Sequence, residues 1–389
     1  MSNRRAFLET GAGLLILRPE TAFGSQANST PELGLIGCGN RGVWITGHFL
    51  EQTGAKVTAI ADAFEPPLAA FREKFGVSEK RSFVGLDGFR EMVKQNVDAV
   101  VIESPPYFHP DHAMAAVEAG KHVYCAKPVA SDVPGTKRFV QASELAAKKK
   151  LNFLVDFQTR NRDVFKEAVS RVHNGGIGDP VFGHIYYHAG RNRAPETTGL
   201  DAKMAEVKGW LHSKKLSGDI IVEQNVHVLD VGCWYLKGHP LKAIGTCGQM
   251  VRKVGDVSDV YQVTYWFDRG VKVDFSSVQF TKGYSDLCMR LYGSAGTCDA
   301  HYNGFVRITG EQPWNGSEKD NTFTGGAIQN IKDFIQAVKA GNPVLNNGAE
   351  SAQSNYTGIL GRMAAARERV VTWDEMMASA TPYDGRNDM

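Results

Sequence analysis

Long apolar runs are missing from this 389-residue chain. After residue 20 no segment approaches the ~18 consecutive apolar residues of a membrane span. An excess of one charge is missing too: 44 basic against 42 acidic residues leave a formal net charge of +2. The one block of like charge, Lys148-Lys149-Lys150, closes a helix-like segment and reads as a solvated helix end. That reading excludes a nucleic-acid patch. Cysteine is sparse: six residues, at 38, 125, 233, 247, 288 and 298, with no C-x-x-C and no His/Cys cluster at zinc spacing. They read as reduced, mostly buried small hydrophobes, and no metal site is expected.

The first 30 residues stand apart. Arg4-Arg5 precedes Phe7-Leu8, an apolar run spans Gly11 to Leu17, and small residues follow. This is the layout of a signal peptide of the twin-arginine type. It implies an exported, periplasmic protein that folds, and loads any cofactor, before export. No membrane anchor is expected after its removal.

The rest is too long for one typical domain of ~100–200 residues, so two are expected. From residue 31 to 157 strand-like and helical stretches alternate: "LGLIG", "NRGVWITGHFL", "KVTAIAD", "EPPLAAFREKFG", "VDAVVIESP", "HPDHAMAAVEAG", "KHVYCAK", "VPGTKRFVQASELAAKKK" and "LNFLVDF". Such alternation predicts an α/β Rossmann domain with a doubly wound parallel sheet. From 158 to 389 the pattern predicts an α+β domain. Its β-rich stretch after residue 240 ("AIGTCGQMV", "DVYQVTYWF", "VKVDFSSVQF", "DLCMRLYGSAGTCDA") suits an open, mainly antiparallel sheet. Two closing helices are expected to pack back on the first domain.

The first strand-to-helix turn is Gly37-Cys38-Gly39-Asn40-Arg41-Gly42. G-x-G-x-x-G between a strand and a helix is a dinucleotide fingerprint. Gly37 permits the tight turn, Gly39 clears space for the pyrophosphate, and Gly42 lets helix and strand pack. The helix N-terminus offers N–H groups to the phosphates. Asp62 ends the second strand, twenty residues past Gly42, where a carboxylate accepts the adenosine ribose hydroxyls. It would repel a 2′-phosphate, and neither Ala63 nor Phe64 is basic, so NAD is favoured over NADP.

"GDIIVEQNVHVLDVGCWYL" reads as one helix with Asp219 as N-cap. Glu223, His227, Asp230 and Trp234 then share one stripe, beside an apolar stripe of Val222, Val226, Leu229 and Cys233. A carboxylate beside a histidine fixes its tautomer and raises its basicity, as a base for a hydroxyl proton requires.

Together, "LIGCGNRG", "ESPPYFHPDHAMAAVEAGKHVYCAKPVA" and "LSGDIIVEQNVHVLDVGCWYL" resemble the Gfo/Idh/MocA family, named for glucose–fructose oxidoreductase and inositol dehydrogenase. The resemblance runs from about residue 32 to the closing helices. It implies hydride transfer between a nicotinamide cofactor and a sugar or polyol hydroxyl, in a homo-oligomer (dimer or tetramer). It carries over Lys127 as the cation at the reacting oxygen and cofactor, His227 as the base with Glu223 in place of the usual aspartate, and Ser104, Pro105 and His109 as cofactor neighbours. The family's Glu-Lys-Pro motif is Ala126-Lys127-Pro128 here, so the lysine lacks its usual carboxylate neighbour. Arg160, Asn161, Arg191, Trp210 and Asp230 are candidate substrate contacts, from their places at the domain junction, in the long polar connection and on the helix. The same lysine and histidine also suit relatives that cleave glycosides through transient C3 oxidation. A non-catalytic NAD-bound sugar-binding protein is a third reading.

Overall fold

The structure, a computed structural model, describes residues 30–190, 193–341 and 344–388. The expected signal segment lies outside these residues, as do Arg191 and Asn192.

Short β-rich runs and longer amphipathic ones alternate through the first half. They form β1 (Glu32–Ile36), α1 (Asn40–Thr53), β2 (Lys56–Asp62), α2 (Glu65–Phe75), β3 (Ser82–Val84) and α3 (Gly88–Met92). There follow β4 (Ala99–Ile102), α4 (His109–Glu118), β5 (His122–Ala126), α5 (Val133–Lys148) and β6 (Phe153–Asp156). All pair in parallel, in the order β3-β2-β1-β4-β5-β6. This is the doubly wound sheet expected from the sequence, with its switch point between β1 and β4. The helix stops are chemical. Gly54 and Gly76 adopt the left-handed conformation that ends α1 and α2, and Asp132 caps α5 through the Gly135 N–H.

The second half forms α6 (Asp163–His173), β7 (Pro180–His188), α7 (Ala202–Lys208), α8 (Lys214–Ser217), α9 (Ile220–Glu223) and α10 (Val226–Tyr235). Strands β8 (Lys242–Gly248), β9 (Val260–Trp266), β10 (Lys272–Val278), β11 (Asp286–Gly293), β12 (Gly296–His301), β13 (Val306–Gly310) and β14 (Trp314–Ser317) come next. The chain closes with α11 (Thr322–Ala340), α12 (Gly348–Arg367), β15 (Val371–Thr372) and α13 (Trp373–Met377). The nine strands run in the order β14-β13-β12-β11-β7-β10-β9-β8-β15. Every pair is antiparallel except β7 with β10. The open, mainly antiparallel sheet is therefore present.

The closing helices lie against the Rossmann domain. Ala327, Ile331, Phe334 and Ile335 of α11 join Leu33, Leu35, Ile45 and Phe49 in one core. Ile359, Leu360 and Met363 of α12 join the core shared with the second sheet. Buried Arg362 fixes the junction: its Nη1 donates to the carbonyls of Ser131 (2.7 Å) and Gly218 (3.0 Å).

The expected single helix after residue 219 is two. Asn225 N–H donates to the Ile220 carbonyl five residues back (2.9 Å), a widened turn that separates α9 from α10. Asp219 does cap α9, but from a left-handed conformation (φ 70°). That conformation is held by bonds its carboxylate accepts from Ser258 N–H and Oγ (both 2.9 Å) and Tyr261 OH (2.8 Å).

Candidate functional site

At the switch point the loops after β1, β2 and β4 open into a cleft lined by Gly37, Gly39, Asn40, Asp62, Glu103, Ser104 and Pro105 among others. The three glycines are not equivalent. Gly37 has φ 100°, and a Cβ there would stand 2.6 Å from the Glu103 carbonyl. A Cβ on Gly42 would collide with the Gly37 carbonyl at 2.0 Å. A Cβ on Gly39 would meet no protein atom within 4 Å, so the space beside it belongs to the cleft. Asn40 opens the fourteen-residue helix α1, whose first N–H groups have no intrahelical acceptors.

Asp62 accepts from Cys38 N–H (2.7 Å) and Phe64 N–H (2.8 Å), one bond on each oxygen. Its remaining lone pairs are available to hydroxyl donors. Burial raises its pKa, against these two bonds and the nearby Lys208 charge. Val207, Lys208 and Trp210 reach the same cleft from the second domain. Lys208 Nζ sits 4.9 Å from the Phe64 ring centroid. Trp210, a candidate substrate contact from the sequence, lines this same cleft. The cation absent after Asp62 in sequence is supplied from 146 positions downstream. Together, the glycine cradle, the free space at Gly39 and the acceptor at Asp62 fit a nicotinamide dinucleotide.

Past the end of β5, Lys127 precedes a cis proline, Pro128. Its Nζ donates to Glu223 Oε1 (2.9 Å) and to the Glu223 carbonyl (2.5 Å). The lysine and glutamate side chains are 15% and 11% exposed. This corrects one expectation: Glu223 partners the lysine, not His227. The widened turn at Asn225 is the cause, since it breaks the one-stripe register. His227 is buried, with its ring 5.3 Å from that of Tyr302. Among the described residues no hydrogen bond fixes its ring. Burial drives its pKa well below 6.5, and the Lys127 and Arg41 cations push the same way. It is neutral at neutral pH.

The setting of Ala126 accounts for the departure at that position. Register pairs Ile102 with Cys125 and Ala126 with Asp156. Ala126 thus lies between Glu103, one residue past β4, and Asp156. Both carboxylates are fully buried, and both face Arg41, Glu103 Oε2 at 3.4 Å from Nε and Asp156 at Nη2. A glutamate at 126 would bring a third carboxylate to this pair. Neither oxygen of Glu103 has a hydrogen-bond partner among the described residues. Burial raises its pKa to about 7 against the pull of Arg41. A buried, unsatisfied acid in a cleft wall is a functional-site signature, and sequence reasoning passed over Glu103.

Other expected contacts are corrected. Arg41 turns its guanidinium onto Glu103, Asp156 and the Trp44 ring (4.4 Å), leaving only its backbone at the helix N-terminus. The Cys38 side chain is buried behind the turn. His109 is a buried strut between the carbonyls of Ser104 (2.6 Å from Nε2) and Pro128 (2.7 Å from Nδ1); its neutral ring donates to one of them, and it does not line the cleft. His112 instead lines it and bonds Ser104 Oγ (2.9 Å). Arg160 and Asp230 are spent on each other, with three contacts of 2.9–3.1 Å, and Ser354 Oγ donates to the same carboxylate (2.7 Å). Asn161 Nδ2 donates to Asp333 of α11 (2.6 Å). These three residues hold elements together. Arg191 lies outside the described residues.

Residues 32–157 match the profile of the oxidoreductase family with an NAD-binding Rossmann fold. Residues 165–299 match the Gfo/Idh/MocA C-terminal domain. Myo-inositol 2-dehydrogenase of Thermotoga maritima is 25% identical over 89% of this chain and 99% of its own length. Among solved structures, apo scyllo-inositol dehydrogenase from Lactobacillus casei aligns with a TM-score of 0.70 at 18% identity, over 89% of this chain and 99% of its own. GenD2 from gentamicin A biosynthesis, in complex with NAD, aligns with a TM-score of 0.71 at 18% identity, over 88% and 96%. Those two structures establish the shared fold.

Proposed function

The chain belongs to the Gfo/Idh/MocA family of NAD(P)-dependent oxidoreductases, and from that premise we propose that it moves a hydride between NAD and a secondary alcohol of a cyclitol or sugar. The observation that carries the reading is the Lys127–Glu223 ion pair (2.9 Å), with the Lys127 charge acting on buried His227. The relatives named for inositol 2-dehydrogenase point to the substrate class.

The cradle of Gly37, Gly39 and the α1 N-terminus would hold the pyrophosphate, and Asp62 the adenosine ribose. When bound, the nicotinamide accepts or returns the hydride. Lys127 has three donors; two are engaged by Glu223, and the third is free for the reacting oxygen. It stabilises negative charge on that oxygen as the carbon–hydrogen bond breaks. Neutral His227 takes the hydroxyl proton on Nδ1 or Nε2. Glu103 reaches the cleft wall, but its carboxylate is buried behind that wall beside the Arg41 guanidinium.

The finer reading is an exported protein that carries its cofactor tightly and works as a homo-oligomer. Its support is the Arg4-Arg5 pattern, and Val207, Lys208 and Trp210 covering the cleft.

The test is to purify the protein, denature it, and measure released NAD(H) and NADP(H). Cyclitols and sugars are then screened for NAD reduction. NAD bound or bindable, with turnover of a polyol, supports the reading. A protein that holds none and binds none when NAD is added overturns it. Hydrolysis of aryl glycosides without net reduction would replace it with the glycosidase reading.

A further inference from the structure

A second cluster of chemistry-bearing side chains, none of which lines the cleft, lies on the second sheet. Strands β11 and β12 are antiparallel, with Cys288 opposite His301 and Arg290 opposite Asp299. Side chains of opposed residues, and of residues two apart on one strand, share a face. Asp286, Cys288, Asp299 and His301 therefore converge. Cys288 Sγ, an Asp299 oxygen and a His301 ring nitrogen all lie within 4.8 Å of one another. Cys288 Sγ is 3.5 Å from Asp299 Oδ1, and His301 Nε2 is 3.2 Å from the same oxygen.

We propose that Cys288, Asp299 and His301 form a binding site for a divalent transition metal of the zinc class. Three observations carry it. First, the spacings fit: metal–ligand lengths of about 2.0–2.3 Å at tetrahedral angles put S–O and N–O edges at about 3.6 and 3.4 Å. Second, the histidine is oriented as a ligand. Its Nδ1 faces the Asp286 carboxylate (2.8 and 3.0 Å), which is in turn fixed by Tyr186 OH (2.7 Å). A carboxylate on one ring nitrogen, aiming the other at a metal, is the usual outer-shell arrangement. Third, that other nitrogen faces the Asp299 carboxylate at 3.2 Å without the geometry of a hydrogen bond, at a residue only 8% exposed.

Binding balances in charge. The divalent ion replaces the Cys288 thiol proton and the His301 Nε2 proton, and both are released. Asp299 keeps its second oxygen on Arg290 (3.0 Å). Sulfur, nitrogen and oxygen together favour zinc, cobalt or nickel over magnesium or calcium. Water completes the fourth position.

The experiment titrates chelator-treated full-length protein with Co²⁺ alone and follows absorbance. The proposal predicts about one Co²⁺ per chain, with a thiolate-to-metal band and the intense visible bands of four-coordination, reversed by Zn²⁺. Cys288→Ser loses the thiolate band, and Asp286→Asn, which alters no ligand, weakens binding about 10–100-fold. The asparagine variant keeps the test sharp should the serine variant fold poorly. Absence of saturable binding overturns the proposal. So does a thiolate band that survives in Cys288→Ser, or Asp286→Asn binding as tightly as the parent.

Discussion

Glu223 is the residue whose partner changed between sequence and structure, and a thermodynamic cycle decides which partner is right. The perturbations are Glu223→Gln, Lys127→Met and the double variant. At 2.9 Å and an effective dielectric of about 20, the gross attraction is about 6 kcal/mol. Both side chains are largely buried, so desolvation offsets much of this, leaving a coupling of about 1–3 kcal/mol. Glu223→Gln keeps the backbone carbonyl that also binds Lys127. Lys127→Met strands a buried carboxylate and is the costlier single change, at about 3 kcal/mol. Urea unfolding followed by tryptophan fluorescence reads each stability. The double variant should lose less than the sum of the singles by that coupling. A parallel cycle of Glu223→Gln with His227→Asn should be additive within about 0.5 kcal/mol, because the charges acting on His227 are Lys127 and Arg41. Additivity in the first cycle, or coupling that appears in the second instead, would refute the ion-pair account.

Four further outcomes follow from the same site. Gly39→Ala should leave the melting temperature unchanged yet weaken NAD binding, whereas Gly42→Ala should destabilise the fold, since its Cβ meets a carbonyl at 2.0 Å; calorimetry and cofactor titration separate the two. Glu103 has a folded pKa raised from 4.5 to about 7, so its ionisation costs stability as pH rises through that window. Glu103→Gln should therefore gain up to about 3 kcal/mol over the parent at pH 8 and little at pH 5, measured by denaturation at both. His109 runs the other way: burial lowers it from 6.5 to about 4, so stability worth about 3 kcal/mol is lost as pH falls from 6.5 to 4, a loss that His109→Gln should flatten in a melting series. Ala126→Glu should destabilise the protein at pH 8, and Glu103→Gln should partly rescue it.

The first sheet was legible because its signals are local. A G-x-G-x-x-G turn, an aspartate at the end of β2 and glycine stops each act within a few residues of where they are read. The second sheet was legible only in part. Strand β7, its central member, was missed because in "VFGHIYYH" the face bearing His184, Tyr186 and His188 is aromatic and imidazole-rich, which blurs the contrast with the buried Gly183 and Ile185 between them. Trp210 and Lys208 reach the cleft by tertiary packing that no spacing encodes. The Cys288–His301 pair was invisible as a metal motif for the same reason: its proximity is a matter of strand register, thirteen residues apart in sequence. The one-stripe helix failed for a smaller cause, a single widened turn at Asn225.

The alanine before Lys127 now has a physical account. A glutamate at 126 would stand beside the lysine. Here the carboxylates are divided: Glu223 comes from the second domain to hold the ammonium, and Glu103, one residue past the adjacent strand, is buried against Arg41. Once Glu103 and Asp156 flank position 126, a third acid there would compete for the Arg41 and Lys127 charges, and Arg41 is already shared. Like charges that close cannot all ionise without cost. Division has a mechanical consequence as well. The lysine's orientation depends on a residue of the other domain, so any displacement of α9 from β5 releases the ammonium from its carboxylate. The Lys127 ammonium keeps both of its Glu223 bonds only while the two domains are docked, with Arg362 pinning the Ser131 and Gly218 turns at the same junction.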